Sequence, residues 1–318
     1  MDRKPRIDAF GAVSLTAFSL LLAWNQVLIK QLNEGLQPVF FAGARSVAAA
    51  AVIWGLMALR GRRVVFLRRH LWPGLAIGAV FAAEFICLFL ALDLTTVTRT
   101  SIIFYSMPVW LALIGHFVLP GERMTRTKAL GLALAFAGVA WAIVMRGGGS
   151  GQASLLGDLL ALGGALGWAG VALLARGTSL REVAPDMQIL WQLAVSAPVL
   201  LAVSLLMGPW VRDFEPWMWG NAAILVSISS FGFMFWLWLL TIYPASGVAA
   251  FAFLAPVFGI FLGWALLDER ITANILIAGA LVVVGLILVN RPPRTGLAPR
   301  QVPQNVAATT SEGSGGRA

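Results

Sequence analysis

Residues 101–145 read SIIFYSMPVWLALIGHFVLPGERMTRTKALGLALAFAGVAWAIVM, and residues 249–289 read AAFAFLAPVFGIFLGWALLDERITANILIAGALVVVGLILV. Both stretches have the same order of features: an apolar run that contains a proline, a short charged turn, and a second apolar run with spaced glycines. Pro108 and Pro256 are 148 residues apart, and Glu122 and Glu269 are 147 residues apart. The sequence therefore contains an internal duplication, which constrains the whole architecture.

The rest of the chain consists largely of similar apolar runs. Of its 318 residues, 59% are hydrophobic and 12% are charged, whereas soluble domains contain about 25% charged residues. A run of about 20 apolar residues is long enough to cross a bilayer as a helix. We predict ten transmembrane helices, near residues 8–31, 38–59, 71–93, 98–119, 128–146, 156–176, 187–208, 218–241, 246–267 and 272–290.

This pattern predicts an all-α membrane protein in which ten transmembrane helices form two inverted five-helix repeats. Because five is odd, the second copy has to enter the membrane from the opposite side. In transporters built this way, the substrate site lies at the repeat interface near the bilayer midplane. The predicted parts are residues 1–146 for the first repeat, 147–290 for the second, and 291–318 for a disordered cytoplasmic tail rich in Pro, Gly and Ser.

The positive charges predict the orientation. If the amino terminus is cytoplasmic, 17 of the Lys and Arg residues lie on that side and 5 lie on the other, as expected from the positive-inside rule. This asymmetry accounts for the net charge of +9, so nucleic acid is not an expected partner. A single cysteine excludes an intramolecular disulfide, and with two histidines we predict no metal site and no cofactor. We expect the protein not to be an enzyme, because the sequence has no nucleophile motif, phosphate loop or HExxH motif.

The two proline-containing blocks also carry a family resemblance. GER at 121–123 and DER at 268–270, each followed by a glycine-spaced helix, are similar to the blocks of the drug/metabolite transporter superfamily, specifically its EamA-type ten-helix exporters. The resemblance covers residues 8–290, and the chain looks most like bacterial aromatic amino-acid exporters.

Arg45, seven residues after Pro38, also fits the family pattern, whereas the second copy has Gln192 at the matching position after Pro185. The resemblance implies a secondary transporter that exports amino acids, aromatic and other neutral ones, or similar small metabolites across the bacterial inner membrane by alternating access. An importer or exchanger of another metabolite is an alternative. A non-transporting receptor or scaffold is a further one. The implied partners are a small-molecule substrate and the lipid bilayer, with a homodimer left open.

We expect the substrate-binding residues to be aromatic or polar side chains placed deep in the predicted helices. Trp24 and Trp168 occupy matching places in the two copies, with packing as the alternative role. Ser101 and Tyr105 share one helix face with Pro108, and Phe253 is the counterpart of Tyr105. The full candidate set is Trp24, Asn25, Glu84, Ser101, Tyr105, Trp168, Trp191, Gln192 and Phe253.

Glu84 is the only acidic residue well inside a predicted span, and Arg45 lies at a similar depth. Because an isolated charge in the membrane is costly, such residues are functional candidates. One interpretation is a structural ion pair between Glu84 and Arg45. The other is that Glu84 binds a substrate ammonium or carries a coupling proton.

Other repeated features have two interpretations each. Pro108 and Pro256 predict kinks, which serve either as hinges or as static bends. Glu122 and Glu269 are expected to cap the helix that follows each of them. Glycine pairs with a spacing of four favour close helix packing, with a dimer face as the alternative: Gly74 and Gly78, Gly163 and Gly167, and Gly259 and Gly263.

Overall fold

A computed structural model describes residues 7–62, 68–119, 124–145, 154–243, 248 and 251–290. The helices in these ranges are α1 (Ala9–Gly35), α2 (Pro38–Leu59), α3 (Arg68–Leu94), α4 (Val97–Phe104), α5 (Met107–Val118), α6 (Arg126–Val144), α7 (Leu155–Gly177), α8 (Pro185–Ser204), α9 (Met218–Ser227), α10 (Phe233–Ile242), α11 (Leu254–Leu267) and α12 (Ala273–Val289). Short 3-10 helices cover Ser179–Glu182 and Phe251–Phe253, and a π-helix covers Ile228–Gly232. The described residues form no strand.

The helices confirm the predicted class of an all-α, multi-pass membrane protein. Within the described ranges, eight helical segments are long and apolar enough to cross a membrane, and α11 and α12 are shorter apolar helices. Each of the ten predicted segments overlaps one of these elements. The predicted tail, 291–318, and the GER turn at 121–123 lie outside the described residues.

The structure corrects two of the predicted continuous helices. The segment 98–119 is divided into α4 and α5 at Tyr105 and Ser106, and the segment 218–241 is divided by the π-helix. Pro108 and Pro256 were expected in helix interiors, but they lie in the first turns of α5 and α11. Amide groups in a first turn have no partner within the helix, so proline is tolerated there. The breaks therefore precede the prolines.

Glycines set the closest helix contacts. A Cβ atom at Gly74 would lie 2.5 Å from the Trp191 ring, and one at Gly167 would lie 2.9 Å from Glu84 Cβ, so α3 packs tightly against α8 and α7. A Cβ atom at Gly131 of α6 would lie 2.8 Å from the carbonyl oxygen of Gly285 in α12. These contacts confirm the interpretation of the glycine pairs as packing features within the chain.

The bundle has two ends, named here from α1. At the Gly35 end, where α1 finishes, Leu36 forms an isolated antiparallel bridge with Val211. At the Asp8 end, where α1 begins, the Tyr243 hydroxyl donates a hydrogen bond to Asp8 Oδ1, 2.6 Å away. Under the predicted orientation, the Asp8 end faces the cytoplasm.

Candidate functional site

A small cavity lies between α2, α3, α8 and the π-helix. The cavity volume that is open to the centre of a water molecule is about 20 Å³, which is enough for about one water molecule. The cavity combines polar groups with aromatic and aliphatic ones, and both sequence copies contribute to it. Its lining residues are Arg45, Ser46, Phe81, Phe85, Ile189, Gln192, Leu193 and Ser229.

Matching positions of the two copies meet at this cavity. Arg45 and Gln192 are 147 residues apart, the offset of the two turn glutamates, and Ser46 and Leu193 share that offset. Phe81 lies 148 residues before Ser229, which is the offset of the two prolines. All of these side chains line the same space. The cavity therefore lies where the two repeats face each other, and it carries one guanidinium from the first copy and a neutral amide from the second.

Arg45 is buried, with 4% of its surface exposed. Its guanidinium carbon lies 4.6 Å from the centre of the Phe85 ring and 4.8 Å from that of Phe89, and such contacts attract a cation to an aromatic ring. One amino group makes a long contact of 3.5 Å to Asn25 Oδ1. The Nε atom is buried and has no hydrogen-bond partner. Most of the donor capacity of this guanidinium is unused.

Glu84 does not form the expected direct ion pair with Arg45. Among the described residues, no carboxylate oxygen lies within 4 Å of Arg45, and Glu84 Oε2 is buried without a partner. The physical reason is rotation around α3: Glu84 packs against Gly167 of α7, whereas its neighbour Phe85 faces the cavity. Equal depth in the membrane therefore does not bring the two charges into contact.

Of the other candidates, Asn25 and Gln192 belong to the Arg45 region, and the tryptophans lie elsewhere. Trp191 is buried against Gly74 and acts as a packing side chain between α8 and α3. Trp168 is partly buried against the main apolar core. Trp24 is 37% exposed and does not line the cavity.

The candidates on and around α4 form a separate group. The Ser101 hydroxyl donates to Gln26 Oε1 at 2.6 Å, and Ser101 packs against Gly259 of α11. Tyr105 is buried at the end of α4 with its ring edge-on to Phe104. Phe253 packs against a second apolar cluster that contains Ile102 and Ile103. None of the three side chains predicted here, Ser101, Tyr105 and Phe253, lines the cavity.

Buried polar contacts that sequence reasoning missed close the Gly35 end. Arg99 of α4 donates to both carboxylate oxygens of Asp158 of α7, at 2.9 and 2.5 Å, and also to the Ala142 carbonyl oxygen. Only 4% of the Arg99 side chain and 0% of the Asp158 side chain are exposed. Lys30 Nζ donates to the carbonyl oxygens of Leu92 and Thr95. The signal available in the sequence was three charged residues at the edges of apolar runs.

Glu269 also lies at this end, and its role differs from the prediction. Its two carboxylate oxygens accept hydrogen bonds from the backbone amides of Val97 and Thr98, at 2.6 and 2.8 Å. It therefore caps α4 in the other copy, whereas Thr272 caps the helix that follows. A carboxylate at a helix amino terminus is favourable for the helix dipole. The second copy is thus tied to the first at the Gly35 end.

The ion pairs at the Asp8 end are more exposed than the Arg99–Asp158 pair. Arg62 pairs with Asp186 at 2.5 Å, with 54% and 16% of the two side chains exposed. Arg69 pairs with Glu182 at 3.0 Å, with 62% and 46% exposed. Exposed pairs contribute about 0–1 kcal/mol each. Within the described ranges, no three of His, Cys, Asp and Glu are close enough to bind a metal ion.

The chain is similar along most of its length to two proteins that are named as uncharacterized transporters. It is 24% identical over 281 residues to "Uncharacterized transporter YoaV" of Bacillus subtilis (strain 168), covering 87% of this chain and 94% of that protein. It is 30% identical over 291 residues to "Uncharacterized transporter YvbV" of the same strain, covering 87% and 90%.

The fold is also found in a solved structure. A chain described only as "Crystal structure of protein" superposes with a TM-score of 0.60 at 22% identity, covering 87% of this chain and 96% of that one. The model of the EamA-like transporter family matches residues 9–144 and again residues 155–291. The two matches take in α1 to α6 and α7 to α12. The chain therefore belongs to the EamA-like transporter family of the drug/metabolite transporter superfamily.

Proposed function

We propose that the protein exports amino acids, aromatic and other neutral ones, or similar small metabolites across the bacterial inner membrane. The observation that carries the proposal is the central cavity, where matching positions of the two copies, Arg45 and Gln192, meet around buried polar groups. Binding sites of inverted-repeat transporters lie at such an interface near the midplane. We propose that the two halves are inverted and that both termini are cytoplasmic.

We further propose that transport uses alternating access, with the Asp8 end opening to the cytoplasm. The cavity holds about one water molecule, so an amino acid enters only when helices move apart. At the Gly35 end, helices are tied together by the buried Arg99–Asp158 pair and by the Glu269 carboxylate, which caps α4. The exposed Asp8-end pairs among the described residues cost less to break. This difference supports a state that loads from the cytoplasm.

Transport is tested in liposomes that contain the purified protein and are loaded with a mixed pool of labelled L-amino acids. Efflux of neutral and aromatic amino acids, faster than from protein-free liposomes, is the expected result. Efflux indistinguishable from that of the empty liposomes for every amino acid would contradict the substrate class. A reporter fused after Ala318 should be active on the cytoplasmic side, and one inserted near Gly149, outside the described residues, on the periplasmic side. Reversed activities would overturn the orientation.

A coupling group is also part of the proposal. Glu84 is buried in α3 and one of its carboxylate oxygens has no partner. We propose that this carboxyl group binds a substrate ammonium or carries a coupling proton. Glu84→Gln should then lose efflux or lose the pH dependence of efflux while it remains folded. Wild-type rates and pH profile in the folded variant would remove Glu84 from the mechanism.

A further inference from the structure

We infer that Arg45 is the recognition group for a carboxylate of the transported molecule, and that the substrates are small carboxylates with an apolar or aromatic body. This inference rests on the proposed transport function, and it names the chemical group of the substrate that the protein recognises. It also assigns the cavity of Arg45, Ser46, Phe81, Phe85, Gln192 and Ser229 as the place where that group binds.

Arg45 has hydrogen-bonding capacity that the protein does not use. A guanidinium has five N–H donors, and the described contacts occupy one of them, over a distance of 3.5 Å to Asn25. Nε is buried without a partner. Leaving the donors of a buried charge unbonded is expensive, and Glu84 attracts the Arg45 charge without a direct ion pair or hydrogen bond between the two side chains. A bound carboxylate would supply the direct hydrogen bonds that Glu84 does not make.

A second feature is the position of the aromatic rings. Phe85 and Phe89 lie within 4.8 Å of the guanidinium carbon. Ring contacts of this kind attract the cation and restrict its orientation, but they do not use the N–H groups at its edge. Those edge donors have the fixed fork geometry that matches the two oxygens of a carboxylate. The group is thus held in place and remains available for a bidentate ligand.

A third feature is the chemistry of the remaining walls. Phe81, Ile189 and Leu193 are apolar, whereas Ser46, Gln192 and Ser229 are polar. The Ser229 hydroxyl donates to the Leu225 carbonyl oxygen, which leaves its own oxygen free to accept a hydrogen bond. The second copy presents Gln192 where the first presents Arg45, so only one side of the cavity is positive. A ligand with one anionic end and an apolar body matches this one-sided arrangement.

The test compares three ligands that differ in the proposed group. L-phenylalanine has both charged groups, 3-phenylpropanoate keeps the carboxylate without the ammonium, and L-phenylalaninamide keeps the ammonium without the carboxylate. Each is added as a competitor of labelled L-phenylalanine transport in liposomes, and each is added to purified protein while the melting temperature is measured. The variants are Arg45→Gln and Arg45→Lys, and the control is Arg126→Gln, whose arginine is exposed at the start of α6.

In the wild type and in Arg126→Gln, both carboxylates should compete and raise the melting temperature, and L-phenylalaninamide should be at least about tenfold weaker. Arg45→Gln should melt as the wild type does without ligand and lose at least about tenfold in affinity for both carboxylates. Arg45→Lys should have an intermediate affinity for the carboxylates, because lysine keeps the positive charge but lacks the planar guanidinium that can bind both carboxylate oxygens. An amide that competes as well as the acid, or a folded Arg45→Gln protein with wild-type affinity for 3-phenylpropanoate, would overturn the inference.

The two readouts separate this inference from the proposed function. Carboxylates that raise the melting temperature of the wild type and not of Arg45→Gln, in a protein without measurable efflux, would support the carboxylate site and contradict transport. Efflux of amines with no effect of any carboxylate would support transport and overturn the carboxylate site.

Discussion

Two buried arginines of the first copy differ in how their charge is balanced. Arg99, at the Gly35 end, is 3% exposed and donates to both oxygens of Asp158 and to a backbone carbonyl oxygen. Arg45, at the central cavity, is 4% exposed and has two aromatic rings, one long contact and an unpartnered Nε. The two side chains are almost equally buried, but Arg99 bonds directly to a carboxylate whereas Arg45 does not.

This difference in hydrogen bonding suggests different roles for the two arginines, one in holding the structure together and one in binding a ligand. A guanidinium that is bonded to a carboxylate of the protein holds helices together, and its charge is already balanced without a ligand. A buried guanidinium with unbonded N–H groups is poorly stabilised by the protein alone. A ligand of opposite charge that bonds to these groups therefore binds favourably. We therefore propose that Arg99 holds the Gly35 end together and that Arg45 recognises the substrate. The following variants test the two assignments, from the largest expected effect to the smallest.

Asp158→Asn should give the largest loss of stability. It leaves the Arg99 charge buried without a counter-charge, which costs about 3–5 kcal/mol. Thermal unfolding in detergent micelles measures the loss, with Glu182→Gln, in an exposed pair, as the control. The double variant Arg99→Met/Asp158→Leu should recover most of the stability because it removes both charges. A melting temperature of Asp158→Asn equal to that of the control would contradict the structural role.

Glu269→Gln should have the next largest effect. The substitution removes the negative charge that accepts two backbone amide hydrogen bonds from α4, and we expect a loss of about 1–3 kcal/mol. Asp268→Asn is a matched control, since Asp268 is exposed and has a positive φ that asparagine also tolerates. Equal melting temperatures for the two variants would mean that Glu269 does not tie the copies together.

Exchanging the charge across the cavity should restore part of the carboxylate preference. In Arg45→Gln/Gln192→Arg the guanidinium moves to the matching position of the second copy, which lines the same cavity. We expect recovery of about tenfold in affinity for 3-phenylpropanoate relative to Arg45→Gln alone, which corresponds to about 1.4 kcal/mol. The measurement is competition against labelled L-phenylalanine. If the folded double variant binds 3-phenylpropanoate no more tightly than Arg45→Gln does, the positive charge in the cavity does not determine the preference for carboxylates.

Arg62→Ala should have the smallest effect. The Arg62–Asp186 pair at the Asp8 end is partly exposed, so its removal should change stability by no more than about 1 kcal/mol. Thermal unfolding beside the wild type measures the change. A loss as large as that of Asp158→Asn would remove the contrast between the two ends on which the proposed cytoplasmic opening rests.

The sequence predicted the fold in most respects because its signals are one-dimensional. The length of apolar runs and a duplication with an offset of 147–148 residues are visible without knowledge of contacts. The sequence predicted a kink at Pro108, but it predicted neither that the break falls at Tyr105 nor that a π-helix divides the segment 218–241. An apolar run has the same composition whether its backbone hydrogen bonds are continuous or shifted by one residue.

The site was predicted less well for a related reason. Depth along a helix follows from counting residues, so Arg45 and Glu84 were correctly placed as buried charges. Rotation about the helix axis depends on the neighbours, and the close contact of Glu84 with Gly167 turns it away from Arg45. Lys30 and Arg99 lie near the ends of the predicted segments 8–31 and 98–119, and the sequence does not show the partners on other helices that allow them to lie within the bundle. Pairings between distant helices are the information that one sequence lacks.

The most direct test of the central claim is a parallel measurement on Arg45→Gln and Arg99→Gln. Each variant is assayed for its melting temperature without ligand and for transport of labelled L-phenylalanine in liposomes. The account predicts that Arg45→Gln keeps the wild-type melting temperature and loses carboxylate transport, because no carboxylate of the described residues is hydrogen-bonded to Arg45. It predicts that Arg99→Gln melts at a lower temperature, because the buried Asp158 carboxylate loses the guanidinium that donates to both of its oxygens. Equal losses of melting temperature in the two variants, or wild-type transport in a folded Arg45→Gln protein, would contradict it.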